Sequence, residues 1–364
     1  MTTIDPTPPW VSGADDAVLR LEDLTVGFES EDGLVQAVRG VTYSVRPGEA
    51  LGIVGESGAG KSVASMAVMG LLPKSARISG MAWVMDQPMI GLTDAQISRI
   101  RGENIAMIFQ DPLTSLTPVY TVGRQIAEAV LAHRNVSKKA AHERAVELLD
   151  VVGIPNPRAR ADSYPHELSG GMRQRVVIAI AMANDPEVII ADEPTTALDV
   201  TIQAQVLEAL EAARRETGAA LVLITHDLGV IAGHVDRVCV MYAGRIVESG
   251  PVDEVFAAPR MPYTLGLLGS LPRIDGERTQ RLTPILGTPP SLLHLPPGCP
   301  FAPRCPMAED RCREEEPELL AVDAAGRHRA ACHFSDDLVD VQARDLFKAT
   351  TVDAEIAAEL GGRQ

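Results

Sequence analysis

Gly55-Glu56-Ser57-Gly58-Ala59-Gly60-Lys61-Ser62 reads G-x-x-x-x-G-K-S, the spacing of a phosphate-binding loop. Ala50-Leu51-Gly52-Ile53-Val54 before it reads as a short buried strand, and the run from Lys61 to Met69 after it as a helix. That order supplies what polyphosphate binding needs: a loop whose backbone N–H groups face inward and a helix N-terminus with its partial positive charge. Glycines are required where side chains would block close approach and where the backbone takes angles closed to other residues. Lys61 is expected to reach the terminal phosphates, and the Ser62 hydroxyl to ligate Mg²⁺.

The chain has 364 residues, enough for about two or three domains, and its apolar fraction of 46% supplies a normal core. A formal charge of −16 argues against a nucleic-acid-binding surface, which needs clustered Lys and Arg. No apolar run approaches the length of a membrane span, so a soluble cytosolic chain is the default, and any membrane role would need a partner. Residues 1–17, rich in Pro, Asp and Thr, read as a mobile tail rather than a targeting segment.

In chain order, Val18 to Phe28 and Val35 to Val45 read as two strands joined by an acidic turn. On position alone Phe28 is a buried strand aromatic ahead of a base-stacking ring. Asn104 to Phe109 is an apolar strand, and the Gln110 that follows stands where ligands bind in open α/β sheets, or is simply an exposed loop glutamine. Val122 to Val152 has helical spacing and reads as a helical subdomain inserted over about 115–185. Leu168-Ser169-Gly170-Gly171 precedes an apolar helix, as an anion-facing helix N-terminus or as an N-cap alone. Glu187 to Glu193 is a buried strand closing on two acids. Asp192 suits a hydrated Mg²⁺ and Glu193 suits activation of a water, because adjacent buried carboxylates need a compensating cation. Thr201 to Thr217 reads as a helix stopped by Gly218, and Ala219 to Ile224 as a further buried strand ending near His226. Val235 to Met241 and Arg245 to Val247 read as a closing hairpin. Past Gly250-Pro251 the composition shifts toward proline.

The order of these pieces resembles the ATP-binding-cassette (ABC) ATPases, whose own signature is Leu168-Ser169-Gly170-Gly171. Phe109 to Leu116, Asp192 to Thr201, Gly287 to Leu292 and Gly298 to Cys305 are similar to the ATPase subunits of oligopeptide and dipeptide importers. The resemblance covers roughly residues 18–335 and implies an α/β fold: a phosphate-loop core, an antiparallel β subdomain, the helical insert and a small irregular cysteine-rich C-terminal domain. The expected boundaries are 18–250 for the nucleotide-binding domain, 251–335 for the C-terminal domain and 336–364 for a tail. It implies ATP held by Phe28, Gly55 to Ser62 and Val63. Mg²⁺ would be held by Ser62, Gln110 and Asp192. Glu193 would act as general base, with His226 and Lys61 on the γ-phosphate and Gln110 at the attacking water. Ser169, Gly170, Gly171 and Asp199 would serve the nucleotide of an opposing ATPase subunit. Implied partners are a second, different ATPase, two permease subunits and an extracytoplasmic peptide-binding protein, with the chain peripheral on the cytoplasmic face of the inner membrane. Nickel or glycopeptide cargo shares these motifs. A soluble ATPase of DNA repair or translation fits less well, because those carry a coiled-coil insert or two cassettes.

Cys239 sits in an apolar strand and reads as a small core residue. Cys299, Cys305, Cys312 and Cys332, spaced C-x5-C-x6-C-x19-C, lie in a proline- and charge-rich region that needs a staple. A cytosolic location disfavours disulfides. Four thiolates suit zinc or an iron–sulfur cluster, and the short C-x2–4-C pairs usual for zinc are missing. Resemblance to importer ATPases with a C-terminal cluster implies a 4Fe-4S cluster, with zinc or no metal as the alternatives.

Overall fold

The parallel core follows from three runs in which every residue is buried: Ala50–Val54, Val188–Asp192 and Ala220–Thr225. Strands covered on both faces read as continuous apolar runs, which is why they are visible in the sequence. The computed structural model describes residues 16–196, 198–271 and 284–347. Ala197, most of the expected N-terminal tail and the end of the C-terminal tail lie outside the described residues. The chain divides into two units, Met1–Arg245 and Ile246–Gln364.

In the first unit the strands are β1 (Leu19–Ser30), β2 (Gly33–Val45), β3 (Ala50–Val54), β4 (Arg77–Val84), β5 (Gln87–Pro88), β6 (Ile105–Ile108), β7 (Val188–Asp192), β8 (Ala220–Thr225) and β9 (Arg237–Tyr242). The helices are α1 (Lys61–Val68), α2 (Asp94–Ile100), α3 (Pro112–Ser115), α4 (Val122–His133), α5 (Lys138–Val151), α6 (Pro157–Ala161), α7 (Gly170–Ala181), α8 (Val200–Thr217) and α9 (Leu228–Ile231). One sheet runs β2-β1-β4-β5, antiparallel throughout. The other contains the run β9-β3-β8-β7-β6, with every pairing parallel. The strands β4 and β5 and helix α2 are additions to the sequence reading, which placed no element between α1 and β6. Half-exposed β4 lacks a continuous apolar run: only Ala82 and Val84 of it are buried.

The helical insert is built as its spacing predicts. Val122, Ile126 and Val130 of α4 recur every fourth residue and are buried, as are Ala141, Ala145, Leu148 and Leu149 of α5. Asp185, ahead of β7, accepts from Arg134 at 2.6 Å and Arg144 at 2.7 Å, which ties the end of α4 and the middle of α5 to the chain entering the sheet. Helix α8 starts at Asp199, whose carboxylate caps the Ile202 amide at 3.0 Å, and stops at left-handed Gly218.

The second unit begins within β10 (Arg245–Pro251) and holds α10 (Val252–Ala257), α11 (Pro262–Gly269), α12 (Asp310–Glu314), β11 (Leu320–Ala321), β12 (Arg329–Ala330) and α13 (Ala343–Leu346). The division falls inside β10 rather than at Gly250. The reason is Glu248: fully buried, it accepts from the Arg260 amide at 2.6 Å and the Met261 amide at 3.2 Å, and meets His328 Nε2 at 2.8 Å. The expected tail also starts later than 336. Leu338 and Phe347 are buried, and Phe347 packs against α11 at Gly266, so the chain to residue 347 belongs to this unit.

Candidate functional site

Four adjacent parallel strands deliver the site. β3 runs into the phosphate loop, β8 into His226, β7 into Glu193 and β6 toward Gln110, all at the carboxyl edge of the sheet. Ligands of open α/β sheets bind at this edge. The register holds it level, with Val54 opposite Thr225, Asp192 opposite Ile224 and Ile108 opposite Ala191.

The loop closes tightly over itself. Gly60, the N-cap of α1, has φ of 95°, and a Cβ there would collide with the Ala37 carbonyl oxygen. Lys61 is buried, and its Nζ donates to the carbonyls of Gly55 at 2.7 Å and Glu56 at 3.1 Å. Burial lowers its ammonium from the ordinary lysine value, opposed by Glu193, Asp192 and Glu56. Ser62 Oγ donates to Asp192 Oδ1 at 2.7 Å, so the two groups expected to share Mg²⁺ already touch. Burial pushes the Asp192 carboxyl up, the Ser62 hydroxyl pulls it down, and Glu193 adds to the push. A buried acid raised in this way, beside a hydroxyl, fits a divalent cation that would restore its charged form.

Glu193 is the hub. Its Oε2 accepts from Gln110 Nε2 at 3.2 Å and Thr196 Oγ1 at 2.9 Å and meets His226 Nδ1 at 3.2 Å, while Oε1 faces Lys61 Nζ at 3.9 Å. The residue is left-handed, with φ of 47°, and its amide donates to Ile224 O at 2.9 Å. A non-glycine residue in that region is uncommon and fixes where the side chain leaves the backbone.

The structure thus brings Lys61, Ser62, Gln110, Asp192, Glu193 and His226 together. Ser169, Gly170, Gly171 and Asp199 form a separate group at the N-terminal ends of α7 and α8. Ser169 Oγ accepts from the Met172 amide at 3.3 Å, and a Cβ on Gly171 would meet Ile202 of α8 at 2.5 Å. Helix α7 starts at Gly170, where the Ser169 cap opens it. Phe28 stands half-buried on β1 opposite Val35, and Val63 half-buried in α1. Thr196 was missed by sequence reasoning. Its signal was a hydroxyl three residues after the second acid, a spacing that a turn turns into contact.

In the second unit, Cys299, Cys305, Cys312 and Cys332 line one small cavity of about 20 Å³ with Phe301 and Phe334. Backbone amides serve three of the thiols: Phe301 and Ala302 at Cys299, Met307 at Cys305, and Phe334 at Cys332. Burial pushes Cys305 up to about 12 and Cys332 to about 11. Among the described residues, no group of three or more His, Cys, Asp or Glu is arranged to hold a metal ion. The donor chemistry fits a metal, but a cavity with room for about one water does not enclose a cluster unless the thiols move apart. Cys239 is buried in β9, as expected of a core residue.

A phosphate loop, a paired hydroxyl and acid, and a second acid ringed by Gln and His define a phosphate-loop nucleotide-binding site. Two family models match: ABC transporter over residues 38–196, and oligopeptide/dipeptide transporter, C-terminal region, over residues 247–312. The chain is 56% identical over 335 residues to the oligopeptide transport ATP-binding protein OppD of Mycobacterium bovis, covering 92% of this chain and 54% of that one. It therefore spans about half the length of that relative. It is 53% identical over 322 residues to the dipeptide transport ATP-binding protein DppD of Bacillus subtilis, covering 88% of this chain and 95% of that one. A dimeric post-hydrolysis structure of the ATP-binding cassette MJ0796 bound to ADP and Pi matches with a TM-score of 0.58 at 27% identity, over 64% of this chain and 98% of that one. The chain belongs to the ABC transporter ATP-binding proteins, in the group that carries the oligopeptide/dipeptide transporter C-terminal region.

Proposed function

We propose that this chain is the ATP-hydrolysing subunit that energises import of di- or oligopeptides through an ABC transporter. The observation that carries the reading is the meeting of Lys61, Ser62, Asp192, Glu193, Gln110 and His226 at one sheet edge. In this reading Lys61 and the loop amides bind the phosphates, and Ser62 and Asp192, with Gln110, hold Mg²⁺. Glu193 takes a proton from the attacking water, and His226 steadies the γ-phosphate. When bound, Mg²⁺ neutralises charge on the phosphates.

Ser169, Gly170, Gly171 and Asp199 stand apart from this cluster, which supports their serving a nucleotide on an opposing subunit. Hydrolysis then needs a dimer, two half-sites coming from each chain. The partners are a second ATPase, two permeases and an extracytoplasmic peptide-binding protein, with the chain peripheral at the cytoplasmic face of the membrane. Among the described residues no helix is long and apolar enough to cross a membrane. Tagged purification from native membranes tests this. Recovery with two permeases and a second ATPase is the expected result, and the accompanying binding protein reports the cargo, whether peptide, nickel or glycopeptide. Recovery with ribosomes or DNA, or as a lone soluble chain, overturns it.

The second unit carries a separate part of the reading: Cys299, Cys305, Cys312 and Cys332 hold a 4Fe-4S cluster as a structural staple, assembled as the unit folds. Its support is the gathering of the four thiols around one space and the Phe334 amide donating to Cys332 Sγ, and the thiols would have to move apart to admit the cluster. Anaerobically purified protein is expected to contain iron and acid-labile sulfide in equal amounts. Zinc without sulfide overturns the cluster in favour of a zinc site.

A further inference from the structure

We propose that the Thr196 hydroxyl is a positioning group for the Glu193 carboxylate, holding Oε2 so that Oε1 is the oxygen presented to the attacking water. This rests on the reading of Glu193 as general base.

The two carboxylate oxygens have different surroundings. Oε2 faces Thr196 Oγ1 at 2.9 Å, Gln110 Nε2 at 3.2 Å and His226 Nδ1 at 3.2 Å. Oε1 faces the Lys61 ammonium at 3.9 Å, on the side where the loop receives phosphate. Oε2 thus carries the hydrogen-bonding neighbours while Oε1 faces the phosphate side, and whichever neighbour stays on Oε2 during the reaction fixes which oxygen meets the water.

The three neighbours of Oε2 differ in permanence. In the proposed reaction Gln110 and His226 turn to metal, water and phosphate, and so leave Glu193 when nucleotide arrives. Thr196 belongs to Glu193's own turn, with its amide donating to the Glu193 carbonyl at 3.2 Å. Thr195 next to it is buried, and its carbonyl accepts from Gln203 Nε2 of α8 at 3.3 Å. The turn is pinned from both sides, so the hydroxyl keeps its hold when the loops move. In the step it serves, the water oxygen bonds to the γ-phosphorus as the bond to the β–γ bridging oxygen breaks. The water's proton passes to Oε1, and ADP and phosphate leave. Loss of the hydroxyl lets the carboxylate rotate, and a misoriented base loses rate without losing substrate affinity.

The test uses the assembled transporter and four variants: Thr196→Val, Thr196→Ala, Thr196→Ser and Glu193→Gln. Removing one hydrogen bond to a charged group is expected to lower kcat about tenfold in both Val and Ala variants. KM for ATP stays within about twofold, and Ser restores kcat. In the Glu193→Gln background, Thr196→Val is expected to cause no further loss, because the two residues act as one unit. Undiminished kcat in the Val and Ala variants overturns the proposal, as does an equal loss with Ser. An undiminished tenfold effect in the Glu193→Gln background does so too. Glu193→Gln turning over normally is a different failure: it removes the general base itself. Two hydroxyl-free side chains of different volume guard against one of them failing to fold.

Discussion

Glu193→Gln is expected to lower ATP turnover of the assembled transporter roughly a thousandfold, within the range for removal of a general base, while ATP binding is retained. The substitution keeps the size and planarity of the group and leaves a carbonyl oxygen to accept from Thr196 and Gln110. The amide lacks a lone pair basic enough to take a proton from water, so the chemical step stops. Binding is spared for an electrostatic reason. Glu193 contributes negative charge 3.9 Å from Lys61 and adds to the upward push on Asp192. Neutralising it makes the pocket less repulsive to a polyanion. Nucleotide that binds and is not cleaved is expected to accumulate a closed ATPase dimer, visible as an ATP-dependent shift in size or cross-linking pattern. Undiminished turnover in the complex refutes the assignment of Glu193 as the base.

The parts legible in the sequence share a physical cause. β3, β7 and β8 are buried on both faces, so each is a bare apolar run bounded by residues of another kind. The loop glycines were legible because their backbone and close contacts exclude side chains, as the Ala37 carbonyl does at Gly60. Half-exposed elements were harder: β4 alternates poorly, and α2 is a seven-residue helix with only Ile97 and Ile100 buried. The start of α7 was legible through Ser169, a capping residue that compensates the two glycines, poor helix formers, of its first turn. Thr196 left only its spacing from Glu193 as a signal, for a different reason. Its contact depends on the left-handed backbone at Glu193, a property of the folded turn rather than of any residue type in the run. The four cysteines were gathered by the fold from positions spread over 34 residues, and spacing alone does not state that they share one cavity.

Lys61→Ala is expected to weaken ATP binding roughly a hundredfold, from the loss of about 2–3 kcal/mol of charge-assisted hydrogen bonding. The magnitude follows from how the residue is held. Its ammonium is buried between the Gly55 and Glu56 carbonyls, with Glu193 and Asp192 close by, so its charge acts through little water. Its removal has two consequences of the same sign. The terminal phosphates lose their principal cationic partner, and the site loses the cation that opposes its two acids. A polyanion then meets Asp192 and Glu193 with only Mg²⁺ to offset them. Direct binding measurements with and without Mg²⁺ separate these consequences. The variant is expected to lose proportionally more affinity than the unaltered chain when Mg²⁺ is withdrawn, because the metal is its remaining counter-charge. Normal ATP affinity in Lys61→Ala, with Mg²⁺ present, rules out the loop from Gly55 to Ser62 as the phosphate-binding element.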